Sequence, residues 1–386
     1  MLKGIIHITE DHSRFNTGVT TVVNLVAGWC ADSVGEGVRI AVIATGEDSV
    51  APPKKVQLIE ISVPVWARPW RWGPGFNRAL RRVLVESGCN IMHLHGVWRA
   101  APWIAQKIAT ETGIPSVLTV HGMLEPWAWN GQGYLQRLKK KLYWKFIAKP
   151  IFQNVSVLHA ITPLERDHLA ALMPGKPIEL IPNAVDLARV DLESPEYEVH
   201  LEKIVLFLGR IHPKKGVDLL IEAFISAQIG NDWRLVIVGP DEDKAYMSRL
   251  KRIVEVYGAN STIQFTGPVY GAEKNLWIKR AWIVVVPSHS EVIGMVNLEA
   301  AACGTPTITT YQTGLSDWQE GSGLLINPNK YELAQSLREV AGWSATVRCE
   351  NGRKIRAFVS ERYSLESVGK KWLRLYQRLC ADANNS

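Results

Sequence analysis

The sequence predicts an α/β protein built from two doubly wound domains, and three observations carry that reading. The chain has 386 residues, more than one hydrophobic core ordinarily serves, so two domains of roughly 150 to 200 residues are expected. Short apolar runs of strand length alternate with longer amphipathic runs, the pattern of parallel sheets covered by helices. The alternation pauses at the polar, acidic stretch "IPNAVDLARVDLESPEYEVHLE" and then starts again, so this stretch reads as a linker.

In the first half the strand candidates are "GIIHIT", "RIAVIAT", "VQLIEISV", "NIMHLHG", "SVLTVHG", "VSVLHAI" and "IELIPNA". Between them lie helix candidates such as "TTVVNLVAGWCADS", "FNRALRRVLVESG" and "APWIAQKIATETG". The second series opens on "KIVLFLGR" and runs through "WRLVIVGP", "STIQFTG", "WIVVVPS", "TPTITT" and "GLLINP". Helical patterns separate these strands, one of them from about 293 to 303, and a long helical region covers about 350 to 380. The expected domains are 1–190, 200–365, and a final helix at 366–386 that crosses back to the first domain.

Apolar residues make up 47% of the chain and charged residues 21%, enough for ordinary cores and unlike a disordered chain. A net charge of +7 is too mild over this length to indicate nucleic acid, and it suits an anionic ligand or an acidic membrane surface. The five cysteines are scattered and odd in number, so a reducing, cytoplasmic compartment is expected. "MLKGIIHITE" reads as a first buried strand and not as a signal peptide. No uninterrupted apolar stretch reaches 18 residues, so any membrane contact is made from the side.

Two stretches of the second half fall at strand ends, where an open parallel sheet binds its ligands. "VLFLGRIHPKKGVDLL" places Arg210 and Lys215 after the strand ending at Gly209 and before a helix opening near Gly216. Two cations beside the free N–H groups of a helix suit a diphosphate, and they also suit an ordinary solvated turn. "HSEVIGMVNLEAAACG" holds Glu291 in a loop and Glu299 in the following helix. The two carboxylates can accept hydrogen bonds from a ribose and a hexose on either side of a diphosphate, and equally they fit a solvated helix. Gly294 and Met295 are placed to offer backbone N–H groups to phosphate.

Other patterns compete for attention. Asp241 and Asp243 in "GPDEDKA" have the D-x-D spacing of a metal site, but Arg210 and Lys215 already answer the phosphate charge, and no metal is expected. The ten histidines show no spacing that reads as a zinc site. Trp98, Trp103, Trp127 and Trp129 could stack on an acceptor sugar. "WARPWRWGPGFNRALRR" and "YLQRLKKKLYWKFIAKP" carry five and six cations and no acid, with aromatics interleaved. Such stretches suggest peripheral association with an anionic membrane surface.

The blocks "FLGRIHPKKGVDLLIEAF", "STIQFTGPV" and "VVPSHSEVIGMVNLEAAACGTPTITT", in this order and spacing, resemble the C-terminal domain of family 4 of the retaining glycosyltransferases. The first half resembles that family more loosely, through "ITEDHSRFNTGVTTVVNLV", "HLHGVW", "TVHGML" and "AITPLERDHL". The resemblance implies the GT-B fold, two Rossmann-like doubly wound domains facing across a cleft, the first binding acceptor and the second binding the nucleotide sugar.

It further implies that Arg210 and Lys215 contact the donor diphosphate, and that Glu299 binds the ribose. Glu291 would face the transferred sugar, with Gly294 and Met295 near sugar or phosphate and Val269 beside the base. In the first half, Gly18 would approach the donor phosphates, Asn16 would reach the acceptor, and His121 would border the reacting centre. His95 resembles a second strand-end histidine, and Asn183 an asparagine that supports the fold. The family pattern often reads E-G-F-G where this chain has Glu291, Val292, Ile293 and Gly294, which reshapes the wall beside the sugar.

The expected activity is a retaining, metal-independent transfer of a sugar from a nucleoside diphosphate sugar, UDP-sugar first, to a glycan or lipid-linked saccharide acceptor in surface polysaccharide synthesis. The alternatives are a sugar-nucleotide epimerase of the same fold and a non-catalytic carbohydrate-binding protein. The expected location is cytoplasmic, or peripheral on the cytoplasmic face of the cell membrane.

Overall fold

The computed structural model describes residues 1–9, 11–12, 17–34, 37–44, 49–62, 75–126, 129, 134–192 and 201–385. Asn16, Trp127, most of the first basic aromatic stretch and residues 193–200 of the expected linker lie outside them. The chain divides into two compact units, one formed by Met1–Ala184 with Leu365–Ser386 and the other by Val185–Ser364.

The first unit is built on a parallel sheet of seven strands: β1 (Ile5–Thr9), β2 (Val38–Ala44), β3 (Gln57–Ser62), β4 (Ile91–His95), β5 (Ser116–Thr119), β6 (Val157–Ala160) and β7 (Ile178–Leu180). Their spatial order is β3-β2-β1-β4-β5-β6-β7. Because side chains alternate across a strand, each strand feeds two cores. Ile6, Ile8, Met92, Leu94, Leu118 and Leu158 pack on one face with the helix Ala100–Thr112. Ile5, Ile91, Val117 and Val157 pack on the other with Val23, Ala27, Val368, Leu375 and Tyr376.

The last three belong to the final helix, Leu365–Asn385, which is part of this unit. Its Gly369 lies against the indole of Trp29 so closely that an added Cβ would stand 2.2 Å from the ring. The helical region expected at about 350 to 380 holds two helices, Ala345–Arg362 and Leu365–Asn385. The helix Ala345–Arg362 belongs to the second unit.

The second unit carries a six-stranded parallel sheet of β8 (Glu202–Leu208), β9 (Arg234–Val238), β10 (Ile263–Gly267), β11 (Ala281–Val286), β12 (Thr307–Thr310) and β13 (Leu324–Ile326). Its order, β10-β9-β8-β11-β12-β13, repeats that of the first sheet. Both are the doubly wound order, in which the chain reverses direction beside the first strand and leaves loop space at the carboxyl ends of the strands. Arg348 is buried and donates to the carbonyls of Ala281 (2.8 Å), Trp282 (3.2 Å) and Gly304 (3.3 Å). These bonds tie the start of β11 to the turn that follows the helix Met295–Ala302. No helix among the described residues is long and apolar enough to cross a membrane.

Candidate active site

In the second unit, β8 ends at Gly209 and the chain makes a short 3-10 turn, Pro213–Lys215, before the helix Val217–Ala227. The turn is capped by His212, whose side chain accepts the N–H of Lys214. Gly216 has φ 67°, and a Cβ there would stand 2.3 Å from the carbonyl oxygen of Pro287. Only glycine allows that approach and that conformation together. The approach seats the turn on the loop after β11, where the N–H of His289 donates to the carbonyl of Lys214 at 2.9 Å.

The consequence is an ion pair that spacing alone did not suggest. Lys215 Nζ stands 3.0 Å from Glu291 Oε1, with side-chain exposures of 19% and 13%. The Ser288 hydroxyl donates to the same carboxylate oxygen, and the N–H of Glu291 donates to the carbonyl of Gln312 at 2.7 Å. Two of the expected site residues are thus brought together, mostly enclosed, and both are held by backbone hydrogen bonds.

The other expected residues are placed differently. Arg210 is 60% exposed and pairs with Glu242 at 3.0 Å, so it does not converge on Glu291. Glu299, in the helix Met295–Ala302, pairs with Lys274 of the helix Gly271–Arg280 at 2.8 Å. Val269 packs partly buried against the apolar face that includes Val284, Val286 and Ala300.

The expectation that Gly294 and Met295 offer free amides requires correction. The N–H of Gly294 donates to the carbonyl of Thr313 at 2.9 Å, and that of Met295 to the carbonyl of Ile293 at 3.0 Å. Gly294 is needed for space: a Cβ would stand 2.5 Å from Asn297 Nδ2. Asn297 is fully buried, donates to Thr309 Oγ1 at 2.9 Å, and leaves its Oδ1 without a partner. Asp243 caps the helix Lys244–Val256, accepting the N–H of Tyr246 at 2.9 Å. The D-x-D spacing therefore includes a helix cap.

At the carboxyl edge of the first sheet the structure assembles what sequence spacing did not show, a group of five histidines. His7, His93 and His95, Thr119 and His159 lie on one face of β1, β4, β5 and β6, because β1 pairs His7 with His93 and β5 pairs Thr119 with both His95 and His159. His121 follows β5 with φ 50°, a conformation that costs a side-chain-bearing residue energy and marks sites where the fold enforces it. Trp372 and Tyr376 of the final helix cover the group, with ring centroids 4.7 Å (His93–Trp372) and 4.4 Å (His159–Trp372) apart.

Burial lowers the pKa of His7 and of His121 to about 3 and that of His159 to about 4. His93 and His95 are held well below the usual histidine range, by burial first and by neighbouring histidines second. The rings are neutral at pH 7. Ring nitrogens of His7, His93 and His95 come within 4.8 Å of one another. A metal there would need a lone pair from each ring, and the nitrogens of His93 are both engaged, by the Tyr376 hydroxyl (2.7 Å) and Thr119 Oγ1 (2.7 Å).

Glu165 completes this edge and was missed in the sequence. It is buried, and its two oxygens accept the N–H groups of Gly122 and Ile161, each at 2.7 Å. It thereby pins the residue after His121. Burial raises its pKa to about 7, against the lowering effect of the two backbone donors. The signal was present as a capping box in "TPLE": Thr162 Oγ1 accepts the N–H of Glu165 at 3.2 Å. Gly18 is the second residue of the helix Thr17–Val34 and is exposed, with open space where a Cβ would project. Trp98 and Trp129 pack edge to face at 5.3 Å and bond the carbonyls of Met123 and Leu124. Both pack, partly buried, against the core of the first unit.

Two parallel sheets wound in one order, the second ending in a lysine–carboxylate turn, define the GT-B class of transferase fold. Residues 17–189 match the family model described as Glycosyltransferase Family 4, and residues 193–341 match the one described as Glycosyl transferases group 1. The chain belongs to this family and is a glycosyltransferase. It is similar to an uncharacterized glycosyltransferase of Methanocaldococcus jannaschii, 30% identical over 180 residues, a match that covers 46% of this chain and 45% of that protein. It is also similar to the D-inositol 3-phosphate glycosyltransferase of Jonesia denitrificans, 25% identical over 313 residues, covering 75% of this chain and 72% of that one. Among solved structures it shares its fold with HepE of Anabaena in complex with UDP, at TM-score 0.75, 15% identity, and coverage of 97% of this chain and 100% of that one.

Proposed function

We propose that the protein transfers a sugar from a UDP-sugar to a hydroxyl of a saccharide or lipid-linked saccharide acceptor, retaining anomeric configuration and using no metal, in surface polysaccharide synthesis. The observation that carries this reading is the Lys215–Glu291 pair. A lysine held mostly enclosed beside a strand end is a cation fixed in place where an open parallel sheet receives phosphate. On donor binding, Lys215 exchanges the carboxylate for the diphosphate, and Glu291 is released to accept hydroxyls of the sugar. Glu299 accepts the ribose hydroxyls, with Lys274 at 2.8 Å orienting its carboxylate. Arg210 adds a flexible cation from the surface. As the bond to the sugar breaks, charge grows on the departing diphosphate, and Lys215 stabilises that growth without rearrangement. The UDP complex of the Anabaena protein supports testing UDP first.

The acceptor reading rests on the first unit. The helix Tyr134–Tyr143 has no acid in it and no buried residue. Tyr134, Leu135, Leu138, Leu142 and Phe146 are exposed, spaced along one side, with Arg137, Lys139, Lys140, Lys141 and Lys145 among them. Such a surface suits peripheral attachment to anionic lipid. Beside it, a cavity of about 430 Å³ is lined by Trp129, Trp144, Leu124 and Leu172, with Arg137 and Lys141.

The test is a donor screen by thermal shift with UDP-, GDP- and ADP-sugars, followed by mass detection of hydrolysed or transferred sugar. A ligand present at a hundred times its Kd should stabilise the fold by about 2.7 kcal/mol. No shift and no sugar release with any donor would overturn the reading.

A further inference from the structure

The histidine group of the first unit forms two hydrogen-bonded strings, and they end differently. The first string is anchored. His159 Nε2 meets the carbonyl oxygen of Ile181 at 2.7 Å; a carbonyl only accepts, so the proton sits on Nε2 and Nδ1 is bare. Thr119 Oγ1, 2.9 Å from that Nδ1, must donate to it. Its oxygen then accepts from His93 Nε2 at 2.7 Å, and His93 Nδ1 is left bare to accept the Tyr376 hydroxyl at 2.7 Å. Every proton in this string is placed by the backbone carbonyl at its end.

The second string runs from His7 Nδ1 to His95 Nε2 (3.0 Å), and from His95 Nδ1 to His121 Nε2 (2.9 Å). Its inner end, His7 Nε2, is buried without a hydrogen-bond partner. A neutral imidazole carries one N–H, so only two arrangements keep both bonds: all three protons on Nδ1, or all three on Nε2. The first leaves a bare lone pair at the buried end. The second leaves an N–H there, and a buried N–H without an acceptor is the rarer and less tolerated defect. The first arrangement therefore prevails. It makes Nδ1–H of His121, the one residue of the three that is not fully buried, the outer donor of the string.

We propose that His95 and His7 are positioning residues that hold the proton of His121 on Nδ1, so that His121 presents a fixed N–H donor to an oxygen of a ligand at the carboxyl edge of the first sheet. An isolated imidazole prefers the other tautomer, so the string reverses the default. The strained φ of His121 and the grip of Glu165 on the N–H of Gly122 fix the ring's backbone, and the string fixes its proton. The functional half of this inference rests on the glycosyl-transfer reading; the tautomer itself does not.

The test is long-range ¹H–¹⁵N correlation on the full chain carrying ¹⁵N-labelled histidine, with rings assigned from single variants. His7, His95 and His121 should each show a protonated Nδ1 and a bare Nε2, and His93 and His159 the reverse. His95→Phe should move His121 toward Nε2–H, and should lower kcat roughly 10-fold or more with donor KM changed less than about twofold. Nε2–H at His121 in the unsubstituted protein, or an unaltered His121 tautomer in His95→Phe, would overturn the proposal. An altered tautomer with unaltered kcat would overturn its catalytic half. Should His95→Phe not fold, the five-ring pattern of the unsubstituted chain decides. Absence of sugar transfer by a protein showing that pattern would count against the reaction, not against the string.

Discussion

The two sheets share a strand order, and their carboxyl edges carry opposite kinds of polarity. The edge of the second sheet uses ionised pairs, Lys215 with Glu291 and Lys274 with Glu299, each partly open to solvent. The edge of the first uses neutral rings, all but His121 enclosed, and each proton is placed by its neighbours. Charge can be kept in the second because water and counter-charge remain at hand. In the first, the final helix seals the rings under Trp372 and Tyr376, and an imidazolium there would have no compensation. The same scaffold thus presents a charged cradle in one unit and a directional hydrogen-bond donor in the other.

Acid should break the first edge most severely. His7 and His159 have folded pKa values of about 3 and about 4, below the ordinary 6.5. Between those values and 6.5 the unfolded chain binds more protons, so stability is complete above pH 6.5 and is lost as the pH falls. At pH 5 each of the two rings costs about 2 kcal/mol, together roughly 4 kcal/mol, against a total stability of about 5 to 15. Hydrogen exchange of the β1, β4, β5 and β6 amides between pH 7 and pH 5 should show the loss there. Protection that stays level across this range would mean the rings are not sealed.

The second edge should break at Lys215. Lys215→Ala is expected to lower kcat by about 10²- to 10³-fold, the usual cost of removing one fixed donor from developing charge. Steady-state kinetics alongside a thermal melt would check it, because the fold should survive. Loss of less than about threefold would show that the diphosphate lies elsewhere.

The contrast also explains how far the sequence could be read. Both sheets follow from local signals, since a parallel strand buried on both faces is a continuous apolar run such as "WIVVVP". Lys215, Gly216, Glu291 and Glu299 were visible because each sits in a short motif with its neighbours close in sequence. The histidine edge was not, because its members come from four strands and the turn after β5, separated by up to about 150 residues, and only pairing register brings them to one face. Lys274 was missed for a similar reason: its partner Glu299 lies on another helix. The two amides after Glu291 were misread because the loop at Gln312 and Thr313, which occupies one of them and anchors Glu291, is remote in sequence. Glu165 was within reach as a capping box, but nothing local says that its carboxylate also takes the N–H of Gly122.

Glu165 sharpens the comparison, as the one ionisable carboxyl among the sealed groups of the first edge. Its folded pKa of about 7 stands above the ordinary 4.5, so the folded chain holds the extra proton between those values. Stability from this group is present below pH 4.5 and falls as the pH rises to 7, by roughly 2 to 3 kcal/mol from pH 5 to pH 8. That slope is opposite in sign to the histidines'. Glu165→Gln removes the titrating group, so this slope should vanish from the variant. In denaturant titrations the variant should therefore lose about 2 to 3 kcal/mol more, relative to the unsubstituted chain, at pH 5 than at pH 8. An equal cost at the two pH values would show that the carboxyl is ionised throughout.

The smallest effect is expected at Arg210, and it tests whether enclosure is what separates the two cations of the donor turn. Its pair with Glu242 is 3.0 Å long but exposed on both sides, 60% and 42%, where screening and side-chain entropy leave such pairs at about 0 to 1 kcal/mol. Arg210→Ala should therefore leave the melting temperature within about 1 °C. The side chain is free to swing to a bound diphosphate, so donor KM should rise about three- to tenfold, more at low salt than at high, while kcat changes less than in Lys215→Ala. Measuring both variants at two ionic strengths separates the roles. If Arg210→Ala lowers kcat as far as Lys215→Ala does, the arginine leaves Glu242 to stand in the cradle during turnover, and pre-existing enclosure is not what makes Lys215 effective.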